Sequence, residues 1–196
     1  IMADFSSRGP VGSPASQDII KPDVTAPGVQ ILAGNSLTPS AGPADEPFQA
    51  ISGTSMSSPH VAGLLALIKQ AHPDWTPAMA KSALMTTARQ NVRKEDGQTR
   101  ADPFDFGAGH VDPGGRAGAD GSLFNPGLVY RTRTIDYVGF LCDTSASYLV
   151  APLIGEDCDF LTKASFQTQA ENLNYPSIGV GEVPGSKTVI RTVTNV

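Results

Sequence analysis

Charge is the first thing this sequence has little of. Only 17% of its 196 residues are charged, against about 25% in an average soluble chain. Basic charge is the scarcer kind: 14 Lys and Arg stand against 19 Asp and Glu, a formal net charge of -5. A nucleic-acid binder shows a basic patch, and the scattered Lys and Arg here give none. No apolar run approaches the roughly 18 residues that cross a bilayer, so no membrane partner is expected. Long low-complexity tracts are missing, which excludes wholesale disorder. Cysteine is reduced to Cys142 and Cys158, with no C-x-x-C spacing for zinc or redox chemistry. The opening Ile1-Met2-Ala3-Asp4-Phe5 carries no basic-then-apolar signal segment.

What is abundant is glycine, at 20 residues, and proline, at 16. With 40% hydrophobic residues, this describes a turn-rich globular chain of one domain, or one domain and a piece of another. Both ends read as cuts through a larger protein. At the far end, residues 188–196 form a β-branched alternation with no visible partner strand, an edge that would invite aggregation.

Along the chain, residues 21–34 read as a loop, a Pro-Gly turn and a short buried strand over residues 29–33. Residues 35–46 are an exposed loop, and residues 48–52 a brief strand ended by Gly53. From Ser55 the period changes to 3.6, with Val61, Leu64, Leu65 and Ile68 on one face. This predicts a helix over residues 55–70, with Pro59 tolerated in its first turn. Thr76 as N-cap and Pro77 at the first helical position open a second helix, on which Ala80, Ala83, Leu84 and Thr87 share a face. Residues 91–122 are mostly loop, with Gly-rich stretches at Gly107-Ala108-Gly109 and Gly114-Gly115. A short amphipathic helix is expected over residues 136–141 and a less regular stretch over residues 144–168. From Leu173 the composition reads as β.

Residues 53–63, GTSMSSPHVAG, carry the chemistry. A serine follows a short strand and a glycine where a small-residue helix begins. Unpaired N–H groups and the helix dipole there favour developing negative charge. A nucleophilic serine wants this setting, because its own amide then helps hold an oxyanion. Serine at a helix start is also the ordinary N-cap, so these residues by themselves leave both roles open.

The same string resembles the nucleophile motif of the subtilases, the subtilisin-like serine peptidases. FSSRGP at residues 5–10 and KPDVTAPG at residues 21–28 are similar to segments that precede the nucleophile in that family. HPDWTP at residues 72–77 with KSALMTTA at residues 81–88 resembles the helix pair that follows it. GAGHVDP at residues 107–113, GLVY at residues 127–130 and LNYPS at residues 173–177 are similar to the larger, cucumisin-like plant-type branch. The resemblance implies an endopeptidase acting on proteins or peptides, with Ser55 attacking the scissile carbonyl. It places the triad Asp and His and the oxyanion Asn upstream of residue 1, in the N-terminal remainder of the same catalytic domain.

The histidines present do not suit the role of base. His60 lies on the same helix as Ser55 and points elsewhere; its family counterpart is structural. His72 caps carbonyls or faces solvent at the helix end. His110, in a Gly-rich loop, is the one with freedom to travel, but its match is to a non-catalytic segment. Met56, beside the nucleophile, implies sensitivity to oxidation, or else is a plain core methionine. No cofactor or metal is expected. Gly107-x-Gly109 is best read as a turn, and Asp102, Asp105 and Asp112 fit no EF-hand spacing and read as solvated loop carboxylates.

Cys142 and Cys158 sit in a loop-rich linker and suit either a disulfide or two free thiols of a cytosolic protein. The resemblance to a largely secreted family favours the bridge, worth about 3 kcal/mol.

The fold class implied is α/β. Residues 1–135 are read as the C-terminal part of a three-layer subtilisin-like domain with a mostly parallel sheet. Residues 136–172 follow as a connecting segment, and residues 173–196 as the first strands of a fibronectin-III-like β-sandwich. The competing reading is a non-catalytic adhesion or structural module on a subtilase scaffold. An α/β-hydrolase esterase is disfavoured because G-x-S-x-G needs glycine where Ser57 stands.

Overall fold

The computed structural model describes residues 1–10, 18–40, 42, 44–114, 121–164 and 166–196; Gly115 of the second Gly-rich stretch lies outside them. Helices and small sheets alternate, an α/β arrangement. Strands β1 (Ile31–Gly34) and β2 (Phe48–Ile51) form a hairpin, followed by helices α1 (Thr54–Ala71) and α2 (Pro77–Thr86). After these come α3 (Pro103–Phe106), β3 (Leu128–Tyr130), α4 (Thr134–Cys142), α5 (Val150–Ile154), α6 (Asp159–Lys163) and β4 (Val193–Asn195).

The core gathers on α2. Its Met79, Ala80, Ala83 and Leu84 pack with Ile68 of α1, Trp75, Val111, Leu123 and Val129 of β3, and Val61, Leu64 and Leu65 close partly over them. The apolar face expected of α1 therefore meets this cluster, with Ile68 fully buried. Helix α2 begins as its sequence dictates: Pro77 occupies the first turn and the Thr76 hydroxyl accepts the Met79 N–H at 3.3 Å. Its one deeply buried polar residue, Ser82, is satisfied by the Tyr130 N–H at 2.9 Å, which pins β3 to the helix.

Several expectations are corrected. The strand read as buried over residues 29–33 is instead β1, paired antiparallel with β2 alone; Leu32 is 70% exposed because no described element covers it. Pro59 lies beyond the first turn of α1, and its missing amide leaves the Ser55 carbonyl without its usual donor four residues on. The closing alternation does have a partner: β4 pairs antiparallel with β3, Val129 opposite Thr194. Between residues 173 and 192 the described chain carries no strand, and the two sheets among the described residues are both antiparallel and two-stranded.

The Gly-rich passage at residues 107–110 is more than a turn. Thr25 and Arg89 flank His110 in backbone bridges, one parallel and one antiparallel. Gly109, at φ +140°, has room for no side chain: a Cβ there would sit 2.4 Å from the Arg89 carbonyl oxygen.

Candidate active site

Glycine, not serine, caps the helix that carries Ser55. Gly53 is the N-cap, extended at φ 163° and ψ 160°, and offers no side-chain cap. Ser55 is therefore the second residue of α1, which removes the capping role that its position in the sequence had left open. The first backbone bond of the turn runs from the Met56 N–H to Gly53 O at 3.0 Å. The Ser55 N–H, ahead of it, is one of the orphan donors of the helix start. Ser55 itself is exposed.

Because the cap contributes nothing, the loop before β1 holds the turn in place. Ser57 donates its hydroxyl to Ala26 O at 3.0 Å. The Gly53 N–H donates to Gly28 O at 2.8 Å, and the Gln30 N–H to the Ser52 hydroxyl at 2.8 Å. Gly28 must lack a side chain, since a Cβ would lie 2.2 Å from the Ser57 oxygen.

Thr54, Ser57, Ser58 and Val61 recur at helical spacing and line, with Ala26 and His110, a cleft of about 700 Å³. Ser55 is about 100° further round the helix and off this cleft.

None of the histidines is brought to Ser55. His60 turns back along its helix, Nδ1 against Met56 O at 2.8 Å. His72 stacks on Trp75 at 3.9 Å and reaches Phe124 O through Nε2 at 2.8 Å. His110 does not have the freedom expected of it. Its backbone is bonded to Arg89 on both sides of the peptide and its Nδ1 lies 3.0 Å from Thr25 O. Met56 is half-buried, its sulfur 3.5 Å from where a Cβ on Gly53 would sit.

Of the three aspartates only Asp102 is exposed as a loop carboxylate should be; Asp105 and Asp112 are not. Asp105 is only 3% exposed and forms a reciprocal capping box with Asp102 at the start of α3. Arg8 and Lys94 approach it at 3.2 and 3.3 Å. Burial alone would push its carboxyl up, but the Asp102 backbone N–H, Lys94 and Arg8 outweigh it and hold the group below the ordinary carboxylate range. Asp112 pairs with the Arg89 guanidinium. No group of three or more His, Cys, Asp or Glu among the described residues is arranged to hold a metal ion. Cys142 and Cys158 are joined in a disulfide that ties the end of α4 to the turn just before α6.

One cluster escaped the sequence. The Asp23 carboxylate accepts from the Tyr175 hydroxyl at 2.7 Å, from Lys21 at 2.8 Å and from Lys81 of α2 at 2.6 Å. Burial would raise Asp23, yet these donors hold its carboxyl below the usual range. Tyr175 is driven far above the ordinary phenol value by burial and by the Asp23 charge. Nothing in composition or spacing links residues 23 and 175.

A helix that starts just past a short strand at a glycine cap, presents a serine in its first turn and packs its far end on a second helix carries the GTSMSSPHVAG motif. The subtilase family pattern matches residues 1–109, and the chain belongs to the subtilase family. It is 43% identical over 210 residues to the subtilisin-like protease SBT5.4 of Arabidopsis thaliana, covering all of this chain and 25% of that protein. It is 40% identical over 215 residues to SBT1.5 of the same plant, covering all of this chain and 26% of that protein. These plant relatives fit the cucumisin-like branch. The chain spans about a quarter of the length of the curated relatives it matches. No described helix is long and apolar enough to cross a membrane.

Proposed function

We propose that this chain is the nucleophile-bearing part of a secreted subtilisin-like serine endopeptidase. Ser55 Oγ attacks the scissile carbonyl of a protein or peptide substrate while its proton passes to a histidine base. That proton then goes to the leaving amine, and water hydrolyses the acyl-enzyme. The Ser55 N–H supplies one oxyanion donor. The histidine, its orienting aspartate and the asparagine donor belong to the upstream remainder of the catalytic domain, in the chain order Asp, His, Ser. Residues 1–135 are the end of that domain, whose mostly parallel sheet is completed by upstream strands. Residues 136–172 connect it to a fibronectin-III-like β-sandwich that begins over residues 173–196. The reaction needs no cofactor, nucleic acid or membrane.

The observation that carries this reading is the place of Ser55: an exposed hydroxyl on the second residue of a glycine-capped helix, within an eleven-residue motif. A fluorophosphonate probe is expected to label the full-length enzyme at Ser55, and Ser55→Ala to abolish labelling. Labelling that persists in the substituted enzyme would overturn the assignment.

A further inference from the structure

The first turn of α1 is poorly equipped to hold itself. Its cap is a glycine without a side chain, it has no acidic residue to meet the helix dipole, and Pro59 removes one helix bond. What holds it is the loop over residues 21–28, through Ala26 O and Gly28 O. That loop has no regular structure of its own. It is fixed by backbone bonds at 2.9 Å each, from Thr25 to Gly109 and Val111 and from the Ala108 N–H to Asp23 O, and at the Asp23 carboxylate by side chains.

The donors on Asp23 come from three places. Lys21 belongs to the same loop and Lys81 to α2, whereas Tyr175 arrives from a segment 152 residues away. Tyr175 is itself closely held. It is 6% exposed, packs with Met85 and Leu173, and lies under the Lys81 ammonium at 4.9 Å. Its carbonyl accepts from Arg191 Nε at 3.0 Å.

We propose that Tyr175 is a positioning residue for Ser55: its hydroxyl bond to Asp23 sets the loop that holds the first turn of α1. The C-terminal segment thereby controls the nucleophile it never touches. The inference rests on Ser55 being the nucleophile. A misplacement of the order of 1 Å at a reacting group can cost up to about a hundredfold in rate, so a single distant hydroxyl is enough to matter.

The test uses the full-length enzyme, a fluorescence-quenched peptide substrate and a double-mutant cycle. Tyr175→Phe removes only the hydroxyl, and Asp23→Asn removes the charge and one of the two acceptor oxygens that Tyr175, Lys21 and Lys81 share. Each is expected to lower kcat about tenfold with KM within about twofold, a loss confined to the chemical step. The double variant should fall no further than the worse single one, because both break the same link. Lys187→Met, which removes the ion pair to the buried Glu171 in the same C-terminal region, should melt earlier and keep its kcat. Wild-type kcat in folded Tyr175→Phe or Asp23→Asn enzyme would overturn the proposal. So would additive losses, or a matching loss of kcat in Lys187→Met. Ser55→Ala is run alongside. Turnover surviving that substitution overturns the nucleophile reading itself, whereas a dead Ser55→Ala beside a fully active Tyr175→Phe overturns only the link.

Discussion

Two glycines of this chain carry opposite expectations for the same substitution. Gly109 sits at φ +140° with the Arg89 carbonyl where a Cβ would go. Gly109→Ala should therefore destabilise by about 1–3 kcal/mol, read as a lower urea midpoint. Gly63, inside α1, has nothing within 4 Å of its Cβ position. Gly63→Ala in the 196-residue chain should raise stability by about 0.5–1 kcal/mol through helix propensity. At Asp105 the variable is pH. Its carboxyl is held below the ordinary range in the folded chain, so ionisation favours folding. That contribution is complete above the unfolded carboxylate value of about 3.9 and is lost as pH falls through the lower folded value. Urea melts between pH 5 and pH 2 should show this loss, and Asp105→Asn should flatten the profile.

Helices α1 and α2 were legible because each runs long enough to repeat its pattern, and because Thr76-Pro77 announces a start. The end of α4 could be read to within a residue or two, since its apolar positions recur over more than two turns. Helices α3, α5 and α6 were not, because four or five residues give one turn and no period. The β reading from Leu173 held only at Val193–Asn195; β-branched composition marks a strand only where a neighbour's backbone is there to pair with it. The helix start that carries Ser55 was legible because its setting is local in sequence, whereas the Asp23 cluster depends on a contact that no local pattern encodes. The bridge between α4 and the turn before α6 closes over Val138, Val150 and Leu161. Replacing Cys142 and Cys158 by serine should cost about 3 kcal/mol. Peptide mapping without reduction should recover the two cysteines as one linked pair.

As a whole, the chain brings no histidine to Ser55, the proposed nucleophile, since His60, His72 and His110 are each committed to backbone carbonyls. In subtilisin, loss of the base alone costs about 10⁶ in rate. The chain by itself should not hydrolyse casein above a Ser55→Ala control; inhibitor-sensitive turnover would mean that one of these histidines reaches Ser55 after all. The molecule also leaves apolar surface bare, with Leu67 of α1 50% exposed and Phe48 of the hairpin 64% exposed, so concentrated solutions should scatter light. The contact between Asp23 and Tyr175 has a consequence in time as well as in space. A ribosome adds about 5–20 residues each second. The phenol that completes the Asp23 cluster, 152 residues downstream, is thus synthesised on the order of ten to thirty seconds after the carboxylate it meets. Lys81 arrives well before it, and the partner strand of β3 later still. During that interval the nascent polypeptide already displays its serine, yet the loop beneath it lacks one of its fastenings. Under the proposed link between Tyr175 and Ser55, the order of synthesis delays full assembly of the site until the C-terminal segment has left the exit tunnel.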